Sequence, residues 1–189
     1  MNILSPYELT LVKDAEVILA KNRIIEKVAS SFSLLAEEYQ IIGKQLPLDF
    51  NSAVPPKISR GEKYEGLPYI VLDYPRIFSH ENIFAIRTLF WWGNYCSTTL
   101  HLKGIYQTQY AYALRNAIQN EVLNEWYVQV DGNMWQHSIN EDYNRVEPSV
   151  DYQLETTPFI KITKKIPLKQ WDQLYQLLKL DFEKIVNLL

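Results

Sequence analysis

From Ile18 to Leu46 large apolar residues recur at steps of mostly three and four, through Ile25, Val28, Phe32, Leu35, Tyr39 and Ile42. That spacing puts them on one stripe of a long amphipathic helix, which Pro47 ends. Just ahead, "SPYE" at residues 5–8 sets Ser5 at an N-cap, proline at the first helical position and Glu8 three residues past the cap, a capping box. Residues 5–46 therefore read as a helical segment. Its stripe packs on the chain's own core or forms a seam between two copies, so a homodimer stays open.

Further on the period changes to two. "YIVLDY", 69–74, reads as a strand stopped by Pro75, and "IFAIRTLFWWGNYCSTTLHL", 83–102, as two strands around a Gly93-Asn94 turn. Tyr110, Ala113, Leu114, Ala117, Ile118 and Val122 return to helical spacing. A second hairpin, "WYVQV" then "NMWQH" around Asp131-Gly132, leads through a polar loop to the strand "FIKITKK". A last helix opens at Pro167 with Trp171, Leu174, Leu178, Phe182, Ile185 and Leu189 on one face. The segment 47–68, with four prolines and two glycines, reads as an irregular connection. Strands in the middle and helices at both ends argue for an α+β fold. The sheet is expected to be mainly antiparallel, about five to six strands built from two hairpins, with N-terminal, middle and C-terminal helices packed mostly on one face.

The turn decides what each sheet face carries. With two turn residues Trp92 faces Tyr95, and one face holds Ala85, Leu89, Trp91, Cys96, Thr98, Leu100 and Leu102 around a lone Arg87. The other then holds Phe84, Ile86, Thr88, Phe90 and Trp92 with Tyr95, Ser97, Thr99, His101 and Lys103, as a second packed layer or the floor of a cleft. A three-residue turn would place Trp91 opposite Tyr95 and exchange the strands' partners. Either way Cys96 and His101 lie on opposite faces of one strand and form no thiolate–imidazole pair. Ser97 and His101 share a face but stand about 13 Å apart along it, too far for a dyad.

At 189 residues, 47% of them hydrophobic and 22% charged, the chain fits one domain over 1–189: the helical segment 5–46, the connection 47–68, and sheet and helices over 69–189. Aromatic residues reach 13%, with 13 Tyr and 5 Trp, rings that suit both a core margin and a binding surface. A net charge of -3 and a pI near 5.7 lack the basic excess of a nucleic-acid binder. One cysteine excludes an internal disulfide and a thiolate zinc site. Charges at Glu8, Lys13 and Asp14 interrupt any signal-peptide core and no apolar run is long enough to span a bilayer, so a cytoplasmic protein without membrane contact is expected.

Candidate chemistry is sparse. His101 and His137, with Glu141-Asp142 four residues on and His80 in "FSHEN", are the only pool for a metal, and their spacing fits no ligand motif, so no metal is expected. The glycines form neither GxGxxG nor a P-loop, and no cofactor is expected. "ISRGEKYEGLPYIVLDYPRIF" carries Arg60, Glu62, Tyr64, Asp73 and Arg76, enough for a buried polar network or an anion-binding pocket. A buried Arg87 would need a counter-ion, and Asp73 on the preceding strand is the candidate.

Together "RGEKYEGLPYIVLDYPRIF", "IFAIRTLFWWGNYCSTTLHL" and "WYVQVDGNMWQH" resemble a bacterial family of uncharacterised proteins of about this length, over most of the chain after the first helices. The resemblance implies a stand-alone cytoplasmic domain and offers no activity or catalytic residues. Two readings follow. The first is a non-catalytic binding or interaction domain for a small molecule or a protein partner. Its ligand would sit on an aromatic-lined sheet face with Phe90, Trp92, Tyr95, Thr99 and His101, joined by Arg60, Glu62 and His137. The second is a hydrolase using His101 or His137 with Glu141, Asp142 or Glu62 as acid–base or metal-ligating groups.

Overall fold

The structure, a computed structural model, describes residues 3–46, 54–139 and 143–189. The capping box at Ser5 forms as expected: the Ser5 hydroxyl accepts the Glu8 amide at 3.3 Å and the Glu8 carboxylate accepts the Ser5 amide at 2.7 Å. It starts α1, Pro6–Lys13. Asp14 leaves the helical region, at ψ 95°, and its side chain caps a new helix by accepting the Glu16 amide, so α2 runs Ala15–Ile42. There follow β1 (Lys57–Tyr64), β2 (Leu67–Phe78), β3 (Ile83–Trp91), β4 (Tyr95–Lys103), α3 (Ile105–Gln119), β5 (Trp126–Gln129), β6 (Asn144–Arg145), β7 (Ile160–Pro167) and α4 (Leu174–Leu188).

The seven strands form one antiparallel sheet in the order β1-β2-β3-β4-β7-β5-β6. This is the α+β, mainly antiparallel architecture expected from the pattern. The main core joins α2, α3 and α4 to one sheet face through Ile70, Leu72, Phe84, Ile86, Phe90, Leu100, Leu102 and Ile162. Tyr39 fastens the layers, stacking on Phe182 of α4 at 3.8 Å between ring centroids while its buried hydroxyl meets Thr88 Oγ1 at 3.1 Å and the Leu178 carbonyl at 3.2 Å. A buried hydroxyl needs such partners, and these sit on two other elements.

Four local expectations are corrected. The connection 47–68 holds a strand, β1, whose sequence KISRGEKY shows no apolar alternation because it is a polar edge strand. Glu65 and Gly66, both at positive φ, close its two-residue hairpin with β2. Strand β2 does not stop at Pro75: the missing N–H falls at a register shift between Asp73 and Arg76, where the ladder is already interrupted, and the strand runs on to Phe78. The β3–β4 turn has three residues, so Trp91 rather than Trp92 faces Tyr95. Gly93 at φ +73° serves either loop length, so the Gly-Asn pair alone could not count the residues. Finally, Asp131-Gly132 makes a turn but no hairpin. Both edges of β5 are taken, by β7 and β6, so Asn133–Ile139 leaves the sheet plane.

A clamped loop and a cationic pocket on the open sheet face

Three-residue closure of the β3–β4 turn re-sorts the expected site. Residues paired across the ladder share a face, so His101 joins Ala85, Thr99 joins Arg87, and Tyr95 joins Trp91, on the side away from the helices. Phe90 pairs with Cys96 and packs with Trp92 in the helix-side core. The expected group is therefore split: Tyr95, Thr99 and His101 lie on the open face, Phe90 and Trp92 on the other. Arg60 and Glu62 leave the group too, as both are tied to α2, Arg60 to Glu26 at 2.6 Å and Glu62 to Lys21. Cys96 and His101 are on opposite faces, as the alternation required.

His137 arrives from the loop. The Tyr64 hydroxyl accepts the amides of His137 and Ser138, each at 2.8 Å, and the Tyr95 hydroxyl accepts the amide of Ile139 at 2.9 Å while donating to the His137 carbonyl at 3.1 Å. Two phenols rising from the sheet thus hold three successive residues of a segment that has no ladder of its own. Below them Val71, Leu89, Trp91 and Tyr95 form a second, small apolar cluster.

At the centre Arg87 grips Asp73 with two parallel bonds, Nε to Oδ1 at 2.6 Å and Nη2 to Oδ2 at 2.9 Å, the pairing anticipated for them. Its Nη1 lies 3.3 Å from His137 Nε2. Guanidinium can only donate, so His137 accepts there and carries its proton on Nδ1. Burial first, then the Arg87 and Lys161 charges, push His137 down to about 3. His101, 6% exposed, is likewise pushed to about 3 by burial and then by Lys161 and Arg87, and it lies edge-on to Trp135 and Phe159. Lys161, opposite His101 on β7, is 3% exposed and donates to the Gln136 carbonyl. Burial and Arg87 bring it down to about 7.

Beside this cluster a pocket of about 290 Å³ opens over β1, β2 and β3. Rings of Tyr69, Phe78 and Trp135 line it together with Lys57, Arg76, Arg87 and Asp73. Asp73 is committed to Arg87, which leaves Lys57 and Arg76 without a carboxylate partner among the described residues. Arg76 is aimed by its Nε, which donates to the Pro55 carbonyl at 2.9 Å. The floor is shaped by Gly61, where a Cβ would stand 2.2 Å from the Tyr69 ring.

Comparison with known proteins returns no match. No family model, no curated protein and no solved structure is similar to this chain. The chemistry must be judged from the residues themselves. Neither imidazole has a hydroxyl, thiol or carboxylate as hydrogen-bond partner among the described residues, and both are held neutral. No three His, Cys, Asp or Glu side chains among the described residues form a group able to hold a metal. Glu141 and Asp142 lie outside the described residues, and His80 sits apart at the exposed β2–β3 turn.

The sequence groups Asp73 and Arg76 as part of a polar network or anion-binding pocket, pairs Asp73 with Arg87 and offers His137 separately, but it does not point to Lys57, Tyr69, Phe78 and Trp135 as wall residues. Lys57 was hidden in the unrecognised edge strand. Trp135 was assigned to a hairpin partner of β5. Its cue was the "NMWQH" run, whose Asn133 caps the Trp135 amide at 3.0 Å and so favours a turn over a strand.

Proposed function

We propose that this chain is a non-catalytic binding domain whose ligand is a small, planar, anionic molecule held in the pocket over β1–β3. The carrying observation is the charge count at that pocket: three cations, Lys57, Arg76 and Arg87, against one carboxylate, Asp73, in a protein whose net charge is -3. Two cations held together without counter-ions favour an anion, and the Tyr69, Phe78 and Trp135 rings favour a flat body beside it. A volume of about 290 Å³ suits a ligand at the small end of the usual range. Neither imidazole has a hydroxyl as a ring hydrogen-bond partner among the described residues, and burial beside Arg87 and Lys161 holds both well below their ordinary pKa; this supports binding over acid–base work, because a base is effective when its pKa lies near the working pH. The single cysteine, buried at Cys96, is in keeping with the cytoplasmic setting expected from the sequence.

The test is calorimetric titration with benzoate-type carboxylates and aryl phosphates, with the matching neutral amides as controls. Anions should bind and amides should not, and Arg76→Ala should weaken binding by about tenfold or more, the loss of one charge-assisted contact. Equal binding of the neutral amides, or unchanged affinity in Arg76→Ala, would overturn the reading.

A further inference from the structure

His137 has one group that the fold leaves unused. Its amide donates to the Tyr64 hydroxyl at 2.8 Å, its carbonyl accepts the Tyr95 hydroxyl at 3.1 Å, and its ring lies 5.1 Å from the Tyr64 ring between centroids. Its Nε2 accepts from Arg87 Nη1 at 3.3 Å. Arg87 is not free to turn away, because Asp73 holds its Nε and Nη2 at 2.6 and 2.9 Å. The chain Asp73–Arg87–His137 therefore fixes the tautomer: a guanidinium only donates, so the imidazole is neutral and its proton stands on Nδ1. That N–H meets no acceptor among the described residues, and unlike His101 Nε2 it is not shut off from solvent. It belongs to a wall residue of the pocket over β1–β3.

The pocket is polarised across the strands. Lys57 pairs with Asp73, and Asp73 with Arg87, so Lys57 and Arg87 stand on the two strands that flank β2. Two strand spacings put their backbones about 10 Å apart. Arg76 leans towards β1, because its Nε donates to the carbonyl of Pro55, two residues before Lys57. Both cations without a carboxylate partner among the described residues thus lie on the β1 side, and the neutral His137 donor lies over β3. Asp73, between them, has each oxygen engaged by Arg87. An anion gains more from the charged donors, which leaves the neutral N–H for an uncharged acceptor. A cavity of about 290 Å³ holds little more than one substituted ring beside Phe78 and Trp135, so that acceptor belongs in the ring itself.

We propose that the ligand is a small nitrogen-heteroaromatic anion, bound with its charge towards Lys57 and Arg76 and with an unprotonated ring nitrogen accepting the His137 Nδ1–H. This rests on the anion reading of the pocket, and it adds the class of the ring and the residue that selects it. The donor is held in place before the ligand arrives, by two phenols on the backbone and one guanidinium on the ring, so little ordering is required on binding.

Calorimetric titration under mildly alkaline conditions, where pyridine nitrogens are unprotonated, compares benzoate with the ortho, meta and para pyridinecarboxylates, which match it in shape and charge. The meta and para isomers should bind about fivefold tighter than benzoate, the worth of one neutral hydrogen bond, and the ortho isomer, whose nitrogen lies beside the carboxylate, should not. His137→Phe keeps a ring against Tyr64 and should abolish the preference. The readout is a ratio within one protein, so a general weakening of the pocket in the variant does not imitate the effect. On the unaltered protein, long-range proton–nitrogen spectra should show His137 protonated at Nδ1, and the para isomer should shift that nitrogen more than benzoate does. Benzoate binding as tightly as the meta and para isomers, a preference that survives His137→Phe, or a His137 protonated at Nε2 would overturn the proposal and leave the anion reading standing. Failure of benzoate and all three isomers to bind would overturn the anion reading, and this proposal with it.

Discussion

The Tyr64 hydroxyl accepts the backbone amide of His137 at 2.8 Å, across 73 residues of sequence. With Tyr95, it converts a segment that lacks ladder partners into a fixed wall of the open sheet face. Buried backbone amides must find acceptors somewhere, and here two phenolic oxygens supply them for three consecutive residues. Removing one acceptor should expose the dependence. In Tyr64→Phe the His137 and Ser138 amides lose their partner, and stability should fall by about 1–3 kcal/mol. Native-state hydrogen exchange should accelerate at residues 137–139 more than at β3 and β4. Uniform acceleration across the sheet would show that the loop is held by something other than the phenol.

The Arg87–Asp73 pair makes a second prediction. Asp73 is 6% exposed, so Arg87→Ala would leave a nearly buried carboxylate without its cation, at a cost of about 3 kcal/mol. The double variant Asp73→Leu with Arg87→Met should recover most of that loss, because it removes both charges and keeps the volume. Chemical denaturation of the single and double variants measures the difference. Additive losses would mean that the two side chains are not coupled.

This pair was legible in the sequence because strand alternation isolates one arginine on an apolar stretch, and a buried charge demands a counter-charge nearby. The helices were legible for a similar reason: Ser5–Glu8 and the Ile25-to-Tyr39 stripe each satisfy a local rule that tertiary contacts reinforce. What stayed hidden depended on counts no local rule fixes. One extra turn residue before Tyr95 moved Phe90 and Trp92, two of the five sheet residues of the expected site, to the helix side. The edge strand β1 carries little apolar patterning because its neighbour lies on one side only. Trp135 and His137 were placed by which edges of β5 were already occupied, a property of the finished sheet.

The two histidines set a pH dependence. Each has a folded pKa near 3, below the ordinary 6.5, chiefly from burial. As pH falls through about 6.5 the unfolded chain takes up protons that the folded chain refuses, so the stability held above that point declines steadily towards pH 3. For His101 the slope is about 1.4 kcal/mol per pH unit between those limits. The His101 and His137 imidazole resonances should therefore show no titration between pH 8 and 5. A midpoint near 6.5 for either would place that ring in water and would remove the argument that both are held neutral.

Gly61 links the edge strand to the pocket. It pairs with Tyr69 across the β1–β2 ladder, and the Tyr69 ring covers the position a Cβ would take, at 2.2 Å. Gly61→Ala must therefore push that ring aside, and since Tyr69 lines the pocket, the change should be felt there before it is felt in the core. Anion affinity should fall by about tenfold, while stability, set mainly by the helix-side core, should drop by about 1 kcal/mol or less. Tyr69→Ala in the same background removes the obstruction and should restore the melting temperature without restoring the affinity, because the planar wall is gone. Titration and melting of the single and double variants separate the two effects. A Gly61→Ala protein with full anion affinity would show that Tyr69 takes no part in holding the ligand.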